Sequence, residues 1–309
     1  MTVAYVFDGH ALEPLPWQPR RTPRWVAWRP DGSSAILVAN GGSALLFDGS
    51  RLHSLETGTR QNLRGAAWSP DGKMALLVGN RGSVLRTQGE RFEELAAPTS
   101  ENLRRVAWHP DGSFALIVGN AGTVLRYDAS SGDLVPVPGD RAHTLRAIAF
   151  RPDGAYALVG AYASRWAGYP RPHALYRCDG RYLQALLASD DEDDFLAVDW
   201  RQDSVALVAG YRAFGQDGTG ANKLLFYDGA LWRGREWQGR GAVLGAAWWP
   251  GQERALLAGE AGLLALMDRE GGIEELDSGT NDNLIGPFWK PDGTQAIVLK
   301  GPGERVYTV

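Results

Sequence analysis

The chain has 309 residues, a net charge of −4, one cysteine and twelve tryptophans. A single closed domain of this length buries roughly 75% of its unfolded surface and needs no cross-link, and a lone Cys178 rules out an intrachain disulfide and fits a reducing compartment. The acidic balance argues against nucleic-acid binding, no run nears the ~18 apolar residues of a membrane span, and no basic-then-apolar leader is visible, so a cytoplasmic protein without membrane partners is expected.

The first 23 residues hold two short extended runs, VAYVFDG and HALEPLP. They look like the third and fourth strands of a unit whose first two are missing. From residue 24 the chain repeats one phrase seven times. An aromatic opens each copy, at Trp28, Trp68, Trp108, Phe150, Trp200, Trp248 and Trp289, with steps of 40, 40, 42, 50, 48 and 41 residues. That period suits a four-stranded propeller blade. The runs are short, rich in Val, Leu, Ile, Tyr and Trp, and punctuated by Gly-containing turns. No helical stripe of apolar residues is long enough to compete.

The second copy shows the plan. A strand at 64–68 (RGAAW) leads to the turn Ser69-Pro70-Asp71-Gly72, in which Pro presets φ and Gly takes the positive φ. A strand at 74–79 (MALLVG) ends in the turn Asn80-Arg81-Gly82, and the strands SVLR and RFEEL follow, with Gln88-Gly89 between them. We call the four strands of a unit a, b, c and d. Strands a and b are almost wholly apolar and are expected between blades; c and d carry charge, as outer strands do. The aromatic reads as an inter-blade spacer that buries ~150–250 Å². Asp31, Asp71, Asp111, Asp153 and Asp292 read as turn residues, and Asn40, Asn80 and Asn120 as suppliers of left-handed turn conformations. The last copy, WKPDG-TQAIVLKG-PGE-RVYTV, supplies a, b and a c-like strand. The expected fold is therefore all-β: one seven-bladed propeller domain over 1–309, with repeats starting near 24, 64, 104, 146, 196, 244 and 285. Residues 1–23 would close the ring by joining the last blade, although both termini offer a c-like strand.

Trp-x-Pro-Asp-Gly followed by an apolar strand resembles the WD40-like propeller repeat of the kind also seen in TolB-type, PD40-like proteins, over about residues 24–309. Gly-Asn-x-Gly-x-Val-Leu is similar to the repeats of photosystem-assembly-type propellers. The Gly-His and Trp-Asp pairs of true WD40 repeats are missing in register, as is the Asp-box of sialidases. The resemblance implies a binding platform and carries over no active site.

Candidate sites lie where the copies deviate. The a–b turns repeat so regularly that their face reads as structural. On the other face, two b–c loops are long. One holds Tyr162, Arg165, Trp166, Tyr169, Arg171 and His173; the other holds Tyr211, Arg212 and Phe214. Aromatic and Arg residues on loops suit a binding surface, and two loops packing on each other is the alternative. Four residues before the aromatic stand Arg24, Arg64, Arg104 and Arg146, against Leu196, Leu244 and Ile285 in the other copies. On a strand that lines the channel they would form a half-ring for an anion; bonds to the neighbouring blade are the alternative. The run Asp190, Asp191, Glu192, Asp193, Asp194 reads as a solvated d–a loop or a patch for a basic partner.

No metal-ligand spacing, nucleophile elbow or Walker loop is present. A non-catalytic scaffold that binds another protein on the loop-rich face is the leading expectation, with no cofactor and no metal, monomeric by itself. A small-molecule propeller for an anion or carbohydrate, using the channel-mouth arginines, is the second. A hydrolase or lyase ranks behind both.

Overall fold

A computed structural model describes residues 2–89, 91–140, 144–162, 174–187, 193–212 and 221–301. They form seven four-stranded antiparallel sheets. Each strand a touches the next, and the last, Leu284–Trp289, touches the first, Pro23–Trp28, so the ring is closed. The fold is a seven-bladed β-propeller. Its only helical segments among the described residues are single turns such as Asn80–Gly82.

The apolar runs explain the layering. Strand b of blade 2, Ala75–Gly79, is buried at every position, whereas strand d, Phe92–Leu95, exposes its two glutamates. Successive side chains of a strand point to opposite faces, so each b strand serves two interfaces. In blade 1, Ile36 and Val38 pack towards Ala75 and Leu77 of blade 2, while Ala35 and Leu37 pack towards Ile297 and Leu299 of blade 7.

The signature indoles tie blades together. Nε1 of Trp68 donates to the Ala27 carbonyl at 3.2 Å, and Trp108 reaches Ala67 in the same way. In the a–b turns, Asp31 accepts the Ser33 amide at 2.9 Å and Asp71 the Lys73 amide at 3.1 Å, which gives these aspartates a turn role.

Closure comes from the N-terminal segment. Ala4–Phe7 pairs antiparallel with Ala296–Lys300, and Leu12–Pro14 adds the outer strand. The c and d strands of blade 7 therefore come from the start of the chain; RVYTV lies outside the described residues. Tyr5 donates through its hydroxyl to Asp282 at 3.0 Å, and Lys300 pairs with the same carboxylate at 2.7 Å.

One expectation about turns is corrected. Among the described residues, those with positive φ in the b–c turns are Gly41, Arg81, Ala121 and Ala261 with the glycine that follows, not Asn40, Asn80, Asn120 or Glu260 before them. Asn40, Asn80 and Asn120 open each turn and take part in it through the backbone: their carbonyls accept the amide three residues on.

Candidate anion site at the channel mouth

The arginine half-ring has a backbone cause. In six blades strand a breaks register near its start. The pairing jumps from Pro23 to Trp25, Leu63 to Gly65, Leu103 to Arg105, Leu145 to Ala147, Phe195 to Ala197 and Val243 to Gly245. The residues left out of the ladder are Arg24, Arg64, Arg104, Arg146, Leu196 and Leu244. Such a bulge re-aims its side chain, so the four arginines occupy equivalent positions on four adjacent inner strands. Blade 7 differs. Ile285 stays in the ladder opposite Leu299, and Gly286 and Pro287 take the bulge.

Two of the arginines are oriented by their own blade. Arg64 Nε donates to Asn80 Oδ1 at 3.0 Å, and Arg104 Nε to Asn120 Oδ1 at 2.8 Å. These bonds run to the asparagine that ends strand b, not to the neighbouring blade. In blade 1 the equivalent pair is open: among the described residues neither Arg24 Nε nor Asn40 Oδ1 has a partner, and Arg146 Nε has none either.

A fifth cation, Arg105, was not legible as a site residue. It donates to the carbonyls of Arg64 and Arg104, each at 2.8 Å, and its guanidinium lies 3.8 Å from the Trp25 ring centre. It therefore holds the inter-blade role expected of the half-ring. The one sequence signal was a second arginine beside Arg104, where blade 2 has Gly65.

The cations act on one another. Burial, and then Arg146 and Arg64, lower Arg104 to about 10. Burial, followed by Arg146, Arg104 and Arg64, lowers Arg105 to about 9. Arg64 is lowered by burial and by Arg24 and Arg146. All remain cationic at neutral pH. Positive charge concentrated where water is scarce is unfavourable until an anion joins it.

The other candidates divide. Tyr162 ends strand Ala157–Tyr162, with Arg146 5.3 Å from its ring centre. Tyr211 is fully buried in strand Ala206–Arg212. With Asp194, both oppose the lowering that burial imposes on Arg146. The structure thus brings Tyr162, Tyr211, Asp194 and Arg146 together. Arg165, Trp166, Tyr169, Arg171, His173 and Phe214 lie outside the described residues, as do the Arg212 side chain, Asp190, Asp191 and Glu192.

Asp193 and Asp194 are not part of a solvated loop. They begin strand Asp193–Trp200 and are each 2% exposed. Burial of a carboxylate requires a compensating cation; Asp193 pairs with Lys223, and Asp194 lies in the field of Arg146. The a–b face is not uniform either. Across blades 5, 6 and 7 it carries a groove of about 300 Å³.

No family model matches the chain, and no curated protein matches it. Among the described residues no three His, Cys, Asp or Glu residues are grouped to hold a metal, and no helix is long and apolar enough to cross a membrane.

Proposed function

We propose that this protein is a non-catalytic binding propeller whose channel mouth receives an oxyanion, a carboxylate or phosphate group. The carrying observation is the half-ring of Arg24, Arg64, Arg104 and Arg146, placed by four equivalent bulges. Two of these guanidiniums are held by their own blade through Nε, which among the described residues leaves the terminal N–H groups to grip an oxyanion end-on. The Trp-x-Pro-Asp-Gly phrase supports kinship with TolB-type repeats, and the single cysteine, buried at Cys178, suits a cytoplasmic module.

The test is thermal stabilisation by inorganic phosphate and by citrate. A ligand at one hundred times its Kd adds about 2.7 kcal/mol. An Arg64→Ala, Arg104→Ala double variant should lose that gain. Equal gain in both proteins, or none in the parent, overturns the reading.

A second reading, a protein partner on the same face, is favoured by the aromatic composition of the long b–c loops. It predicts that a Trp166→Ala, Tyr169→Ala, Phe214→Ala variant no longer retains the partner captured by the parent. Unchanged retention removes it.

A further inference from the structure

Four signature indoles obey one rule. Trp28 Nε1 donates to the Phe288 carbonyl at 3.1 Å, Trp68 to Ala27 at 3.2 Å, Trp108 to Ala67 at 3.2 Å and Trp200 to Ala149 at 3.1 Å. Each bond pins a ring to the preceding blade. Trp248 and Trp289 break the rule: their Nε1 atoms are buried and have no partner among the described residues. A buried donor without an acceptor is costly, and two on adjacent blades at one place mark a local departure from the repeat.

These two indoles line the groove on the a–b face, at the opposite end of the strands from the arginine cluster. Trp249 forms another wall, stacked on Trp289 at 4.7 Å and 20° and held by its own bond to Gly293 at 2.8 Å. Arg201 borders the groove with its guanidinium 5.1 Å from the Trp248 ring centre; it is paired with Asp203 through Nε and Nη2, while Nη1 is a third unpartnered donor.

Asp199 also lines the groove. It stands where five of the other blades have Ala27, Ala67, Ala107, Ala149 and Ala247 and the seventh has Phe288. Its Oδ2 accepts the Trp248 amide at 2.7 Å, and burial raises its carboxyl to about 6. The residues that line the groove therefore bring together indole rings, a carboxyl group that can accept from a hydroxyl and, buried beneath its surface, three N–H donors without acceptors among the described residues.

We propose that this groove binds one sugar ring, a neutral pyranose or the end of a glycan. The C–H face of a pyranose packs on indole, and its hydroxyls both donate and accept, which matches a carboxylate set among donors. A hydrophobic guest would leave the donors unmet. A cationic guest would meet the Asp199 carboxylate but also the Arg201 charge, and would offer the donors nothing. The volume fits a single ring. Both Nε1 atoms are buried and unpinned, so binding in this way requires a ring to turn until its donor reaches a hydroxyl of the guest.

The test follows the tryptophan indole ¹⁵N–¹H signals during titration with methyl glycosides of glucose, galactose, mannose and N-acetylglucosamine up to 100 mM, with choline chloride in a parallel arm. At least one glycoside should move the Trp248 and Trp289 signals in a saturable way and leave Trp28, Trp68 and Trp108 in place. Trp249→Ala should weaken the response at least tenfold, and Asp199→Asn, which keeps an acceptor for the Trp248 amide, several-fold. Arg64→Ala with Arg104→Ala should leave it unchanged, which separates this site from the oxyanion site. No saturable shift with any of the four glycosides, an equal shift in the Trp249→Ala protein, or a response to choline alone overturns the proposal.

Discussion

Arg104 and Asn120 are joined by one bond of 2.8 Å, from Nε to Oδ1, between the bulge of an inner strand and the turn that ends its neighbour. The same bond joins Arg64 to Asn80 at 3.0 Å. It links a turn residue to the electrostatics of the channel, because the asparagine decides which edge of the guanidinium is left for a ligand.

Asn120→Ala should therefore act on binding more than on folding. The lost bond to a charged donor costs about 1–2 kcal/mol of stability, measurable by urea unfolding. Stabilisation by phosphate should fall several-fold, because the guanidinium loses its fixed orientation. Asn40→Ala is the control: Arg24 makes no such bond, so phosphate stabilisation should persist. Equal effects at both positions would contradict the orienting role.

Asp199 should give the protein a distinctive pH dependence. Burial raises its carboxyl from 3.8 to about 6 in the folded chain. Between these values the native state holds a proton that the unfolded chain has released, so stability falls as pH rises from about 4 to about 6. Asp199→Asn removes the titration but keeps an acceptor for the Trp248 amide. The variant should gain about 1–2 kcal/mol over the parent at pH 8, a figure reduced for the carboxyl's open side on the groove, and lose that advantage at pH 4. Parallel stability curves for the two proteins would show that Asp199 is not the group responsible.

Gly82→Ala should be among the costlier single changes. Gly82 has φ +70°, and a Cβ there would stand 2.0 Å from the Thr99 carbonyl of the incoming d–a segment. The left-handed conformation alone costs a non-glycine residue about 1–2 kcal/mol, and the clash requires the turn to move. A loss of at least 3 kcal/mol in denaturant unfolding is expected. Gly41→Ala, also at positive φ but with nothing within 4 Å, should cost only the conformational part.

The closing strands make a separate prediction. Removal of residues 1–15 takes away Tyr5 and Phe7, both buried, and leaves Ala296–Lys300 as an open edge. Loss of these side chains should cost on the order of 5 kcal/mol, a Tm drop of roughly 8 °C, with aggregation through the bare edge. A synthetic peptide of residues 1–15 added in trans should restore part of the loss. A truncated protein with the parental Tm would contradict closure by this segment.

The thiol of Cys178 is buried and pushed up to about 11, with burial the main cause. It should resist an aromatic disulfide reagent at pH 8 in the native protein and react at once in denaturant. Rapid native reaction would contradict its enclosure.

Local chemistry alone made much of this protein readable. Trp-x-Pro-Asp-Gly encodes a turn by the fixed φ of Pro and the positive φ of Gly, and unbroken apolar runs encode strands covered on both faces. Their seven-fold return leaves a ring as the way to cover every face. The N-terminal c and d strands followed from the same pattern, as did the equivalence of Arg24, Arg64, Arg104 and Arg146. What those arginines touch was decided only in three dimensions. Their bonds to Asn80 and Asn120 depend on a bulge that spacing does not reveal, and Arg105 takes the inter-blade role because Gly65 keeps two strands close. The end of the acidic run, Asp193 and Asp194, departs from a solvated loop because composition describes solvation, whereas the partners of these two residues come from other strands. The groove at Asp199 was hidden for a related reason: an alanine replaced by aspartate, and a turn that reads Trp-Trp-Pro-Gly, acquire meaning only when blades 5, 6 and 7 set their indoles side by side.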